Sequence, residues 1–340
     1  MSKLLLNPGP TNTRFLIKLA QWLGSDVCHR TDEFYEVLRE AKKLLLSSMS
    51  FKAKDSFHIA LFGGTGTTAM EAMISSLIPC RDSRKYISYN KPVTVINAGK
   101  YGIRAMSMMD IYKIPYKEII SSNIEDLERN TAANLVYFVE NETSTGEKYD
   151  LEKMKQIYPN AKFFIDATSA FGASNYRKHL DCINALSFCS NKCLQSTPGV
   201  SIVIFKKDLD IVPKTCYMNL EAYIKNEMPF TMPVQSISAL RYTLYNIYDN
   251  EKTFNSRRNY LISDLRKLGI ECLNKNPCNA IIGFKHPTKN YEELRDFLLQ
   301  KDIVIYSGIG GIENSFRIAT MSVDFDKKYS KFLRVLGRTI

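Results

Sequence analysis

Six short runs rich in β-branched and aromatic residues punctuate the first 205 residues of this 340-residue chain, at 58–62, 93–97, 135–139, 163–165, 185–188 and 201–205. Between them lie segments with helical apolar spacing, such as Met70, Met73, Ile74 and Leu77. Continuous apolar strands separated by helices require a sheet covered on both faces, and such sheets are largely parallel. The class is therefore α/β. After Pro233 the pattern changes. The spacing predicts a long helix over 235–268 ended by Gly269, a strand over 279–284, a helix over 291–300, strands over 303–306 and 316–318, and a final helix. This reads as a large α/β domain over 14–240 and a smaller α+β domain over 241–340. The proline-extended segment 1–13 is expected to run back along the smaller one.

Composition narrows the class of function. The formal charge of +11 invites phosphate-backbone binding, but basic residues are interleaved with acids, as in Arg30-Thr31-Asp32-Glu33 and Asp324-Phe325-Asp326-Lys327-Lys328. That is the pattern of solvated helix faces, so no nucleic-acid partner is expected and a small anionic substrate suits the charge better. The eight cysteines include no C-x-x-C, and a chain with 45% apolar content can bury a core without staples. They are expected to be reduced thiols, with no metal site. Three leucines before Pro8 are too short for a signal core, and no apolar run approaches the roughly 18 residues of a membrane span. A cytoplasmic protein without membrane attachment is the expectation.

The chemistry gathers at strand ends. Phe62-Gly63-Gly64-Thr65-Gly66-Thr67-Thr68-Ala69 joins a strand to a helix, where glycines, hydroxyls and helix N–H groups can cup an anion. The same residues fit a dinucleotide G-x-G-x-x-A turn, yet the next strand ends Asn97-Ala98-Gly99 without the required acid, and no lysine makes the loop a P-loop. A tight turn without a ligand is the plain alternative. Asp166 ends the run Lys162-Phe163-Phe164-Ile165, either pointing into a ligand crevice or capping the next helix. Lys192 lies 26 positions later among small residues, before Pro198-Gly199 turns the chain into the next strand. A lysine and an aspartate ending neighbouring strands suit pyridoxal 5′-phosphate (PLP), the lysine as Schiff base and later proton carrier, the aspartate facing the ring nitrogen. Tyr101, after another strand end, offers a face for ring stacking, and the hydroxyls of Glu142-Thr143-Ser144-Thr145-Gly146 lie beyond a further one. Arg317, alternating with apolar neighbours, can fork onto a carboxylate or sit in a surface ion pair. Arg30 can either serve a phosphonate tail or merely precede the helix starting near Thr31.

In this order the motifs resemble the class V aminotransferases of PLP fold type I. Leu5-Leu6-Asn7-Pro8-Gly9-Pro10 is similar to LLTPGP, Gly64-Thr65-Gly66-Thr67 to G-S-G-S/T, and Asn97-Ala98-Gly99-Lys100-Tyr101-Gly102 to N-G-x-Y-G. Asp166-Ala167-Thr168-Ser169-Ala170-Phe171-Gly172 resembles D-A-M-S-S-F-G, and Ser190-Asn191-Lys192-Cys193 with Pro198-Gly199 resembles S-A-N-K-C followed by P-G. Thr168, Ala170 and Ser196-Thr197 depart from the pattern. The resemblance implies a mainly parallel seven-stranded sheet, PLP as cofactor, and transfer of an amino group from 2-aminoethylphosphonate to pyruvate, giving phosphonoacetaldehyde and L-alanine. An alanine–glyoxylate or serine–pyruvate reaction is the alternative, suggested by Thr231-Met232-Pro233-Val234. A cysteine desulfurase would want a nucleophilic cysteine in a mobile Gly/Ser-rich loop, which none of the eight supplies. Carried over residue by residue, the resemblance implies Lys192 as anchor, Asp166 as ring-nitrogen partner, and Thr65, Gly66 and Thr67 as phosphate cup. It further implies Tyr101 as stacking ring, Thr143 as donor to the phenolic oxygen, Arg317 as carboxylate holder, and Thr231 lent to a neighbouring subunit in a homodimer.

Overall fold

The computed structural model describes residues 3–22, 27–80, 92–245, 247 and 250–340. Strand β1 (Leu4–Leu5) is followed by helices α1 (Phe15–Trp22) and α2 (Asp32–Met49), strand β2 (Phe57–Gly64), helix α3 (Gly66–Leu77), strand β3 (Val93–Asn97) and helix α4 (Lys100–Ile111). Strands β4 (Tyr116–Ile120) and β5 (Leu135–Val139), helix α5 (Leu151–Ile157), and strands β6 (Lys162–Asp166), β7 (Ile183–Cys189) and β8 (Gly199–Lys206) continue the chain. The sheet order is β2-β8-β7-β6-β5-β3-β4. Only β8 runs against its neighbours. Since β2 and β7 both oppose β8, they point the same way, with Gly64 facing Gly199 and Cys189 facing Ser201. The C-terminal ends of β2, β7, β6, β5 and β3 therefore meet the start of β8 along one edge, where crevice ligands bind in such sheets.

The continuous apolar runs are buried as their composition demands: every residue of β3, β5 and β7 is inside. The seventh strand, β4, is absent from the six runs. Tyr116-Lys117-Glu118-Ile119-Ile120 is an edge strand with Lys117, Glu118 and Ile120 exposed, so it carries no unbroken apolar signal.

Helices α6 (Val234–Leu244) and α7 (Asn250–Lys267) lead into strands β9 (Glu271–Cys272) and β10 (Ile281–Lys285), helix α8 (Tyr291–Leu299), strands β11 (Ile303–Val304), β12 (Tyr306–Ser307) and β13 (Ser315–Ala319), and helix α9 (Phe325–Leu336). The single helix expected over 235–268 is two helices; positions 246, 248 and 249 of that span lie outside the described residues. The reason is packing. Ile237, Leu240 and Leu244 of α6 enter the core beneath the large sheet, whereas Leu261 and Leu265 of α7 enter a second core with Phe284, Phe316 and Phe332. One straight rod does not serve both.

The strand expected over 303–306 is also divided. β11 pairs in parallel with β1, while β12 pairs with β13 in the antiparallel sheet β9-β10-β13-β12. Leu6 bridges β11 and β13: its N–H donates to Val304 O at 2.8 Å, and Ala319 N–H donates to Leu6 O at 2.7 Å. Arg257 of α7, 5% exposed, ties the second core to α9 through Asp326 Oδ2 at 2.6 Å, and to Thr320 O and Ser322 O at 2.7 and 3.1 Å. Among the described residues no helix is long and apolar enough to cross a membrane.

Candidate active site

The strand ends enclose a cavity of about 200 Å³ whose wall includes Thr65, Gly66, Thr67, Tyr101, Arg104, Asp166, Thr168, Cys189 and Lys192.

Asp166 and Lys192 face this space from adjacent parallel strands. β6 pairs with β7 so that Asp166 stands opposite Ser187, and Lys192 comes three residues beyond the end of β7. Asp166 is 1% exposed, and its Oδ1 accepts the Thr168 amide at 2.9 Å. Burial pushes its carboxyl up to about 6; hydrogen bonds from Thr168 oppose this, Glu142 adds to it, and Lys192 draws it down. Burial likewise lowers the Lys192 ammonium, against the pull of Cys189, Cys193 and Asp166 and with a further push from Arg104. Each charged form is thus disfavoured by desolvation. A cation placed against Asp166 relieves the first cost, and a neutral, nucleophilic amine at Lys192 avoids the second.

The phosphate-like cup is the start of α3. Thr65 is its N-cap: Thr65 Oγ1 accepts the Thr68 amide at 3.3 Å, and Thr68 Oγ1 accepts the Thr65 amide at 3.1 Å, a reciprocal capping box. The Thr65 carbonyl is held by Ser201 Oγ at 2.7 Å. With the Thr68 amide taken by the box and the Gly66 amide turned to Cys189, the Thr67 amide and the positive end of the helix dipole remain for an anion. A Cβ at Gly66 would lie 2.7 Å from Thr168 Cγ2, so glycine lets the cup close onto the Asp166 loop.

Tyr101 stands in the first turn of α4, and its placement explains the Glu142 motif. Glu142 Oε2 accepts the Tyr101 amide at 3.2 Å, and Ser144 Oγ accepts the Lys100 amide at 2.9 Å while donating to Glu142 Oε1 at 2.5 Å. A buried carboxylate at a helix N-terminus is stabilising there. Gly99 must be glycine, because a Cβ would fall 2.2 Å from Ser144 Oγ. The motif therefore orients the Tyr101 helix.

Six of the predicted residues, Thr65, Gly66, Thr67, Tyr101, Asp166 and Lys192, share the cavity. Thr143 and Arg317 meet each other outside its wall. The Thr143 hydroxyl pairs with Ser169 Oγ at 2.7 Å, and the Thr143 carbonyl accepts Arg317 Nη1. Arg317, 3% exposed in β13, also donates to Ser307 O at 2.7 Å and Ser307 Oγ at 3.0 Å, and its guanidinium lies over the Tyr306 ring at 4.6 Å. Arg30, just before α2, and Thr231, just before α6, are exposed and are not on the wall.

Arg104 and Gly9 were not anticipated. Arg104 stands one helical turn after Tyr101, and the i,i+3 spacing in Tyr101-Gly102-Ile103-Arg104 is the signal that places both on one face. Gly9 packs against the stem of Lys192, a contact between residues far apart in sequence for which no local pattern exists.

No family model matches the chain. Among curated proteins it is similar to 2-aminoethylphosphonate–pyruvate transaminases of Bacteroides fragilis, 23% identical with 99% of this chain and 98% of the relative covered, and of Lactiplantibacillus plantarum, 25% identical with 98% and 97% covered. A bifunctional phosphonoacetaldehyde hydrolase/aminoethylphosphonate transaminase of Clostridioides difficile is 24% identical, aligning 99% of this chain with 56% of that protein. Among solved structures, an aspartate aminotransferase from Thermus thermophilus superposes with a TM-score of 0.85 at 20% identity, covering 99% of both chains. An alanine–glyoxylate aminotransferase from Nostoc sp. superposes with a TM-score of 0.83 at 20% identity, covering 99% of this chain and 95% of that one. The fold is that of the PLP-dependent aminotransferases.

Proposed function

We propose that this chain is a PLP-dependent aminotransferase that moves the amino group of 2-aminoethylphosphonate to pyruvate, releasing phosphonoacetaldehyde and L-alanine. The observation that carries the reading is the pairing of buried Asp166 with half-buried Lys192 at adjacent strand ends, in the same cavity as the Thr65–Thr67 helix start. The near full-length similarity to transaminases of that name supports the choice of substrates.

The residues present fit the cofactor. Lys192 Nζ would anchor it, the α3 start would take its phosphate, Tyr101 would flank its ring, and Asp166 would face its ring nitrogen. When bound, PLP supplies an electron sink that makes hydrogens on the amine-bearing carbon acidic. Asp166, ionised against a cation, keeps that sink charged. Lys192 Nζ, an amine that burial already biases towards its neutral form, would take up the proton from the donor's amine-bearing carbon. Three of the five N–H groups of Arg317 are bound to protein, which leaves two for the carboxylate of pyruvate or alanine. Thr231, exposed on its own chain, is then available to the phosphate of a second copy in a homodimer.

One placement favours a second reading. Arg30, the basic residue expected at a phosphonate tail, stands outside the cavity wall, and an alanine–glyoxylate or serine–pyruvate reaction needs no such residue. Purified protein incubated with PLP and treated with borohydride should carry the cofactor on Lys192; failure to do so refutes the PLP assignment. A panel of amino donors with pyruvate should form alanine fastest from 2-aminoethylphosphonate. Turnover of alanine or serine with glyoxylate, and none of the phosphonate, selects the second reading.

A further inference from the structure

The cavity contains a cation that the roles above leave unused. Arg104 Nη1 donates to Thr67 Oγ1 at 2.9 Å, and its guanidinium carbon lies 4.9 Å from the centroid of the Tyr101 ring. Among the described residues no carboxylate forms an ion pair with it. Thr67 is the second residue of α3, so Arg104 is tethered to the helix start whose dipole already favours an anion. The Tyr101 face restrains the guanidinium from the other side. A planar fork with one N–H fixed on the cup and further N–H groups unclaimed matches the oxygens of a tetrahedral dianion.

The geometry points to Arg104 as the residue that joins the Thr65–Thr67 turn in binding the phosphate of the cofactor. The inference rests on the PLP reading above and extends it: the phosphate is held by one chain's helix start and by a charged side chain from the neighbouring helix. It also separates two duties open to one arginine. The tether to Thr67 puts Arg104 at the cofactor's phosphate end rather than at the tail of a phosphonate donor.

The test compares PLP with pyridoxal, which has the same ring and aldehyde without the phosphate. Cofactor-free protein is titrated with each, read by absorbance and by the mass of the borohydride-fixed product. Arg104→Gln is expected to weaken PLP binding by about ten- to a hundredfold, as for loss of one charge-assisted hydrogen bond, while pyridoxal binding changes by less than about twofold. Arg104→Lys, which keeps the charge without the fork, should fall between. Equal weakening of both ligands overturns the inference, as does unchanged PLP binding. A raised KM confined to 2-aminoethylphosphonate, with PLP affinity intact, also overturns it and assigns Arg104 to the donor. Should Arg104→Gln not fold by circular dichroism, Arg104→Lys takes its place: selective weakening of PLP supports the inference, and equal weakening or none overturns it. Wild-type protein that takes up neither ligand sinks the PLP reading, and this inference with it.

Discussion

A Cβ placed on Gly9 would lie 3.0 Å from Cδ of Lys192 and 3.3 Å from its Cε. The amino-terminal segment, secured to β11 through Leu4 and Leu6, to Ala319 of β13 through Leu6 and to Val323 through Asn12, is thereby pressed against the stem of half-buried Lys192. At φ +122° the Gly9 backbone is also in a region that side-chain-bearing residues avoid. Gly9→Ala is expected to cost about 1–3 kcal/mol of stability and to displace Lys192. Denaturant unfolding and the fraction of Lys192 fixed by borohydride both report on this; a variant with full stability and full cofactor uptake would show that the contact is dispensable.

Asp166 makes its own contribution to the pH dependence of the cofactor-free protein's stability. Its carboxyl sits at about 6 in the folded chain, above the roughly 3.9 of an unfolded aspartate. The folded state therefore holds this proton more tightly. The resulting stability is fully present below about pH 4 and is lost as the pH rises through about 6, a change on the order of 2–3 kcal/mol. Asp166→Asn removes that limb. Chemical denaturation of both proteins without cofactor from pH 4 to 7 should give a wild-type decline that the variant lacks, and parallel curves would contradict the assignment.

Arg317 is held by Ser307 and Thr143 with two N–H groups to spare. Arg317→Lys loses the fork and is expected to raise the KM for pyruvate by about ten- to a hundredfold. The KM for 2-aminoethylphosphonate, which has no carboxylate, should change little. Steady-state kinetics with each substrate varied in turn separates the two, and an equal rise in both would refute a carboxylate-binding role.

Arg257 carries no expected chemistry but joins α7 to α9 from a buried position. Arg257→Met leaves the Thr320 carbonyl without its arginine donor, the Ser322 carbonyl with the Phe325 amide alone and Asp326 with only the Tyr260 hydroxyl of its two side-chain partners. The expected loss is about 2–4 kcal/mol in denaturant unfolding, with cofactor uptake by the folded fraction unchanged. A loss below about 0.5 kcal/mol, the range of ordinary surface changes, would show that the tie is solvated.

The residues of the large sheet were legible because burial on both faces leaves an unbroken apolar run, as in Leu135-Val136-Tyr137-Phe138-Val139. β4 escaped notice because an edge strand exposes Lys117 and Glu118. Asp166 and Lys192 were legible from their positions after such runs. Thr143 shows the limit of this reading. The resemblance implies its hydroxyl as a donor to the cofactor ring, and the structure adds partners no local pattern announces: the hydroxyl pairs with Ser169, and the neighbouring Glu142 and Ser144 cap the helix that carries Tyr101.

From the sequence alone came the strand-and-helix alternation, the α/β class, and the chemical identity of the groups at each strand end, because periodicity and local turn chemistry are properties of adjacent residues. The tertiary structure decided what those groups face. Parallel pairing of β6 with β7 brings Asp166 and Lys192 into one cavity, the helical turn between Tyr101 and Arg104 adds a cation to the cup at Thr67, and the return of the amino terminus presses Gly9 onto Lys192. These are contacts across long stretches of chain, and packing, rather than local preference, selects them.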